Sequence, residues 1–284
     1  MNLSLVICTK DRGDRLDPCL DALTRMEKPE GFELVLVNNA SSDNTETVLR
    51  EYASAADFDV TVVNEPVAGL ARARNTGWQA SSGDIVAFTD DDCYVREDFA
   101  AAVQAHFDTS KYAYFSGRIE LFDPTDHPIT VLLDDDPREF EPRLFLRTGW
   151  VQGANFGMTR EALEAVGGFN ELLGAGTDYP AEDIEIVGRL SGMGRRGMYS
   201  PKIVVAHHHG RKKGPAVKKL AKQYNAGRGA YYAIMLQQDG MTWRTIGAFL
   251  RTNITRHPNA VLHEVYCGVR YWLHQRKAKR SAEG

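Results

Sequence analysis

Cysteine is scarce in this chain: four in 284 residues, at Cys8, Cys19, Cys93 and Cys267, with no CxxC pair. That excludes a disulfide scaffold or a cysteine-built zinc site and fits reduced, individually placed thiols. Long apolar runs are also missing, since no stretch reaches the roughly 18 residues of a membrane span. The apolar start over residues 3–8 is short and has no basic leader. It reads as a strand rather than a signal peptide, and a cytoplasmic location is expected. No GxGxxG follows it and no GxxxxGKS/T occurs anywhere, so both standard phosphate cradles are absent. Any nucleotide must be held in another way.

What is present is an ordinary globular composition, 43% hydrophobic and 25% charged, enough to bury a full core. The net charge of -4 hides a segregation. Residues 211–284 carry 15 Lys+Arg against 3 Asp+Glu, a net of +12, and the rest of the chain carries -16. A basic C-terminal module of this kind suits phosphates or an anionic membrane surface.

The first hundred residues alternate apolar strands with helices. Strands are predicted over 3–8, 32–37, 59–63 and 85–88, and helices over 12–26, 43–52 and 68–78. Near-continuous Val/Ile/Leu strands joined by helices predict an α/β fold, a mostly parallel sheet flanked by helices on both faces. Ligands in such sheets bind at the C-terminal strand ends. The polar segments fall there: Thr9-Lys-Asp-Arg12, Asn38-Asn-Ala-Ser-Ser-Asp43 and Asp90-Asp-Asp92.

Three aspartates at the end of an apolar strand are costly unless something positive meets them. A hard divalent cation, Mg2+ or Mn2+, prefers oxygen ligands and also holds substrate phosphates. Strand alternation turns Asp90 and Asp92 toward one site and Asp91 away. Thr9 to Arg12 can wrap a base and ribose, and Asp43 can accept from the base or cap the helix that follows. Asp90 suits the ribose side, while Asp92 holds the cation. Arg72, Asn75 and Gln79 share one side of the third helix, with Arg74 close to the next turn. These arginines can pair with carboxylates or phosphate oxygens.

Val6-Ile-Cys-Thr-Lys-Asp-Arg12, Asn38-Asn-Ala-Ser-Ser-Asp43, Gly69-Leu-Ala-Arg-Ala-Arg-Asn75, Gly83-Asp-Ile-Val-Ala-Phe-Thr-Asp-Asp-Asp92, Gly167-Gly-Phe-Asn-Glu171 and Ala181-Glu-Asp183 occur in that order. Together they resemble the family-2 glycosyltransferases with the GT-A fold, over about residues 3–210. The resemblance implies inverting transfer from a nucleotide-diphosphate sugar, UDP-sugar favoured, with Mn2+ or Mg2+ and a carboxylate base. By similarity Asp90 and Asp92 match the metal and nucleotide motif, Asp43 the aspartate that meets the base, and Asp183 the catalytic base. His207, at the end of a strand predicted from Lys202, matches a histidine that completes the cation site. The implied nucleotide set is Thr9, Lys10, Arg12, Asn39, Asp43, Arg72, Asn75, Asp90 and Asp91, and the metal set is Asp92 and His207.

A base must stand within hydrogen-bond reach of the acceptor hydroxyl. Asp183 opens a helix marked by Ile184, Val187 and Leu190, where the helix N-terminus favours carboxylates. Asp178 is an alternative base, and Glu182 orients the acceptor or positions the helix. Residues 150–158 read as an acceptor element. Gly153 permits close approach, Asn155 is a contact, and Trp150 suits either a sugar face or the core. His207 and His209 share one face of their strand, and Arg211-Lys-Lys213 can close over a diphosphate.

The predicted organisation is a catalytic domain over 1–213, with a nucleotide half (1–100) and an acceptor half (101–213), then a basic helical extension over 214–284. Helices are predicted over 241–255 and 261–274, with Arg244, Arg251, Arg256, Arg270 and Arg276 interleaved. They suit packing on the catalytic domain or peripheral contact with an anionic membrane, which fits a glycan or lipid-linked glycan acceptor. The acidic first two hundred residues argue against nucleic acid. A nucleotidyltransferase would need a Gly/Lys-rich loop after the first strand, which is absent. A non-catalytic binder would not need the Asp183 carboxylate.

Overall fold

A computed structural model of the protein describes residues 1–253 and 258–283. Thr255 and Arg256 lie outside the described residues. The strands are β1 (Leu3–Thr9), β2 (Phe32–Asn39), β3 (Val60–Glu65), β4 (Ile85–Asp90), β5 (Cys93–Val95), β6 (Tyr114–Leu121), β7 (Arg138–Phe140), β8 (Phe156–Thr159) and β9 (Gly197–His207). The helices are α1 (Asp17–Arg25), α2 (Thr45–Ala55), α3 (Leu70–Ala80), α4 (Phe99–His106), α5 (Arg160–Val166), α6 (Glu182–Gly192), α7 (Pro215–Met235), α8 (Thr242–Asn253) and α9 (Pro258–Glu283).

One sheet runs in the order β3-β2-β1-β4-β8-β6-β9-β5, with β7 also on β9. The expected parallel pairing holds for β3, β2, β1 and β4. Beyond β4 the sheet is mixed: β8 is antiparallel to both β4 and β6, β9 is parallel to β6, and β5 and β7 are antiparallel to β9. Side chains alternate across the sheet. Val6, Val35, Val37, Val86 and Phe88 face α3, where Ala71 and Ala73 pack. Leu5, Ile7, Leu34, Leu36, Ile85 and Ala87 face the other way, onto Leu20 and Leu23 of α1 and Phe99 and Val103 of α4. The sheet is therefore covered on both faces, as near-continuous apolar strands require. Gly77 lets α3 lie close, since a Cβ there would come within 2.4 Å of Val6 Cγ1.

The C-terminal helices pack on α6. Tyr231 and Met235 of α7 and Tyr271 of α9 share a core with Ile184, Val187 and Leu190 of α6. α7 and α9 meet at glycines: a Cβ on Gly229 would stand 2.2 Å from the Glu264 carbonyl oxygen. No helix among the described residues is long and apolar enough to cross a membrane.

Candidate active site

Register builds the first wall of the cleft. Thr9 lies opposite Asn38 and Cys8 opposite Asp90, so β1, β2 and β4 release the chain along one edge. β4 stops at Asp90 and a two-residue turn at 91–92 leads into β5. That turn breaks the alternation, so Asp91 faces the cleft beside Asp90 and Asp92 instead of turning away. Cys93 pairs with His207 across β5 and β9, and the His208 N–H donates to the Asp92 carbonyl at 2.8 Å. This sets His207 Nε2 at 3.3 Å from Asp92 Oδ1.

Arg12 spans the two aspartates, 3.3 Å from Asp91 and 3.2 Å from Asp92, and Thr9 Oγ1 donates to Asp91 at 2.5 Å. Burial pushes the Asp91 carboxyl up to about 6, against the pull of Arg12 and Thr9. Burial also acts on Asp92, but the hydrogen bond and charge of His207, then Arg12, outweigh it and hold this carboxyl below its usual range. His207 is raised above an ordinary imidazole because Asp92 outweighs its burial.

The donor atoms of Asp92, Cys93 and His207 lie within 4.8 Å of one another. Burial holds the Cys93 thiol well above its usual range, and a soft sulfur is a poor match for a hard cation. The remaining carboxylate and imidazole fit a divalent cation.

The second wall starts at α6. The Asp183 carboxylate accepts the Gly153 and Ile184 N–H groups, each at 2.7 Å. Beside it, Glu182 pairs with Arg74 at 2.7 Å. Arg74 is 2% exposed and also reaches Asp90 at 3.1 Å and the Gly153 carbonyl at 3.1 Å, so one buried guanidinium ties the two walls together. Its guanidinium lies over the rings of Phe156 and Phe169 at 5.2 and 5.8 Å. Gly153 provides close approach as expected, but the close neighbour is Arg74: a Cβ would stand 2.8 Å from Nη2. Burial raises both acids, Glu182 to about 7 with Arg74 pulling it back, and Asp183 against the two N–H donors.

Both walls line a cleft of about 780 Å³. It gathers Thr9, Lys10, Arg12, Asn39, Asp90, Asp91, Asp92, Gly153, Glu182, Asp183 and His207 from the predicted set. Lys10 and Asn39 also hold loops: Lys10 Nζ donates to the Ala40 carbonyl at 2.7 Å, and Asn39 bonds Val67 and Gly69 at 2.8 and 2.9 Å. Asp43, Arg72, Asn75, Trp150 and Asn155 are not brought into the cleft lining. Asp43 accepts the Thr45 N–H at 3.0 Å and the Gly13 N–H at 3.1 Å, fixing the entry to α2. Arg72 pairs with Glu171. Asn75 bonds the Phe169 backbone on both sides, at 3.0 and 2.8 Å. Trp150 stacks on Phe140 at 5.8 Å. Asn155 is fully buried and donates to the Arg118 and Ile203 carbonyls, both at 2.9 Å.

Arg74 was missing from the predicted set although its signal was present. Ala71 and Gly77, three residues to either side, place it on the buried face of α3, where an arginine needs partners. Arg211 and, from α7, Gln223, Tyr224 and Arg228 also line the cleft. The Asp178 alternative lies outside, exposed and paired with Arg270 at 2.6 Å.

Residues 4–167 match the model of the glycosyl transferase family 2. Among curated relatives, glycosyltransferase AglE of Haloferax volcanii is 23% identical over 238 residues, 83% of this chain and 75% of that protein. The pre-mycofactocin glycosyltransferase of Mycobacterium tuberculosis is 29% identical over 186 residues, 63% of this chain and 38% of that protein. Two solved structures share the fold at low identity. The Pyrobaculum calidifontis mannosyltransferase PcManGT, in complex with GDP-Man and Mn2+, has a TM-score of 0.62 at 17% identity, covering 95% of this chain and 87% of that one. Staphylococcus aureus TarS 1-349, in complex with UDP-GlcNAc, has a TM-score of 0.66 at 16% identity, covering 94% and 79%. With the ordered motifs, the GT-A fold and the family match over more than half its length, the chain belongs to glycosyl transferase family 2.

Proposed function

We propose that the protein moves a sugar from a nucleotide-diphosphate donor to a hydroxyl of a glycan or lipid-linked glycan, with inversion, in one displacement. One observation carries this reading: the Asp92 carboxylate, beside His207, and the Asp183 carboxylate line the same cleft from different elements. Thr9, Lys10, Asn39 and Asp90 hold the nucleotide and ribose. Asp92 and His207 would hold Mn2+ or Mg2+, which when bound neutralises the leaving diphosphate. Arg12 and Arg211 add positive charge on that side. Asp183, kept in place by Gly153 and Ile184, takes the acceptor proton as the hydroxyl attacks the anomeric carbon. Its raised affinity for protons suits a base. Single displacement needs no protein nucleophile.

UDP-sugar remains the favoured donor, and the UDP- and GDP-sugars of the two structural neighbours support the nucleotide-sugar class. A thermal-shift panel of UDP, GDP, dTDP and CDP, with Mn2+ and with excess chelator, tests the reading. Stabilisation by UDP that needs Mn2+ and is lost in Asp92→Asn is expected. Stabilisation by GDP alone would move the donor class. Unchanged binding and turnover in chelator would remove the cation from the reaction.

A second reading concerns α9. Leu262, Tyr266, Val269 and Leu273 fall at i, i+4, i+7 and i+11 and are 67, 62, 55 and 56% exposed, on the side opposite buried Cys267 and Tyr271. Arg270, Arg276 and Lys277 flank this stripe. A second copy would bring like charge against like charge, whereas an anionic lipid surface complements both the stripe and its rim. Sedimentation with anionic but not zwitterionic vesicles is expected at low salt, and no binding there would refute lipid contact.

A further inference from the structure

A second cavity, of about 310 Å³, opens next to the cleft, between residues 145–148, α7 and α8. Its aromatic part is Phe145 stacked on Tyr232, with ring centroids 5.3 Å apart and planes 7° from parallel. Arg147, Arg228 and Arg251 converge on it. Arg228 pairs with the buried Glu264 and also bonds Asn225. Arg147 lies over the Trp150 ring at 5.6 Å. Neither Arg147 nor Arg251 has an ion-pair partner among the described residues. Three arginines therefore line one concavity, and among the described residues Glu264, on Arg228, is the one acidic group that ion-pairs with any of them.

Like charges gathered around a hollow repel one another and focus a positive potential into it. An anion relieves that repulsion. Guanidinium groups present paired donors that match phosphate oxygens, and several of them suit a group with more than one negative oxygen. Thr148 and Arg228 line both this cavity and the cleft that holds Asp183. A molecule with its hydroxyl at Asp183 can thus extend its other end between the arginines.

We propose that this cavity is the acceptor's anion subsite, and that the acceptor carries a phosphate or diphosphate there. Its identity as an acceptor subsite rests on the glycosyl-transfer reading above, whereas the phosphate site itself rests on the arginines alone. A lipid-linked sugar diphosphate and a water-soluble phosphate ester share this chemistry.

The test is calorimetric titration of the full chain, in excess chelator, with geranyl diphosphate and separately with glycerol phosphate. Wild type is compared with Arg147→Gln/Arg251→Gln, which alters two exposed side chains and leaves Arg228 and its partner intact. At least about tenfold weaker phosphate binding is expected, the loss of one charge-assisted hydrogen bond. Nucleoside diphosphate affinity should be unchanged, and Arg147→Lys/Arg251→Lys should recover part of the loss. Loss for geranyl diphosphate alone identifies a lipid-linked acceptor, and loss for both ligands identifies the phosphate as sufficient. Equal binding by wild type and the glutamine variant, or no binding by wild type, would overturn the subsite. Failure of wild type to bind any nucleoside diphosphate with Mn2+ would instead refute the glycosyl-transfer reading.

Discussion

Asp92 and Asp183 line one cleft, but the fold surrounds them differently. Asp92 sits in a turn between two strands, with His207 at 3.3 Å and Arg12 at 3.2 Å. Positive partners outweigh burial there and keep it ionised. Asp183 begins a helix, is held by two backbone N–H groups, and shares the nearby Arg74 with Glu182 and Asp90. Burial outweighs those partners and raises its affinity for a proton. The same side chain is thus held ionised in one place and given a raised affinity for protons in the other. Cationic side chains close at hand make the first, and burial, working against two backbone donors and the nearby Arg74, makes the second.

The sharpest way to break this contrast is Asp183→Asn. We expect kcat to fall by about 10²–10⁴-fold while nucleoside diphosphate affinity in Mn2+ stays as in wild type, because the change lies outside the nucleotide wall. A transfer assay beside a calorimetric titration reads both. Equal loss of binding and turnover would make Asp183 part of the donor site. The pH profile adds a sign. The base must be unprotonated, so turnover disappears as pH falls through its raised value. The acidic limb of kcat should lie above the ordinary aspartate range of about 4, and a limb within that range would point to another base.

Arg74 connects the two walls, so removing it tests whether they depend on each other. Arg74→Met leaves Glu182 buried without its cation and should cost about 3–5 kcal/mol of stability at pH 8. Glu182 already titrates near 7 because burial raises it. At pH 5 it can take a proton instead of remaining an unpaired charge, so the loss should shrink. Urea unfolding at both pH values measures this. An equal loss at each pH would mean that packing against Phe156 and Phe169, not charge, is what Arg74 supplies.

The two walls also differed in how readily the sequence showed them. The first is local: three apolar strands, each followed by a polar run, place Thr9, Asn39 and Asp90 together once parallel pairing is assumed. The motif order marked Asp183 as well and contains Arg74, but it does not show which carboxylate Arg74 meets, because Glu182 lies 108 positions away. The mixed half of the sheet was hidden for a similar reason, since β7 and β8 are short and pair only with distant strands. α7 falls inside the helical extension expected over 214–284 but without bounds of its own, and Gly227 and Gly229 weaken a helix there by propensity. Packing overrides that preference. A Cβ on Gly227 would stand 1.9 Å from the Pro180 carbonyl oxygen, so these glycines let α7 lie against the loop before α6 and against α9. Asp43 shows the reverse case, a motif residue whose position suited a nucleotide contact and whose bonds serve the backbone.

Asp43 gives the smallest expected effect and separates structural acids from functional ones. Its carboxylate joins the Gly13 N–H to the Thr45 N–H, tying the loop after β1 to the start of α2. Those bonds hold it below the usual carboxylate range, with Thr45 the strongest cause. Asp43→Ala should lower stability modestly, because the Gly13 and Thr45 N–H groups lose their acceptor. Asp43→Asn keeps an acceptor oxygen and should cost less. Neither should weaken UDP binding in Mn2+ beyond what slight loosening of the Thr9–Arg12 loop produces, since Asp43 is not part of the cleft lining. Chemical denaturation and nucleotide titration on the same samples decide it. If Asp43→Ala keeps its stability and loses tenfold or more in UDP affinity, the carboxylate contacts the base. The nucleotide wall would then extend past Asn39 to the first turn of α2.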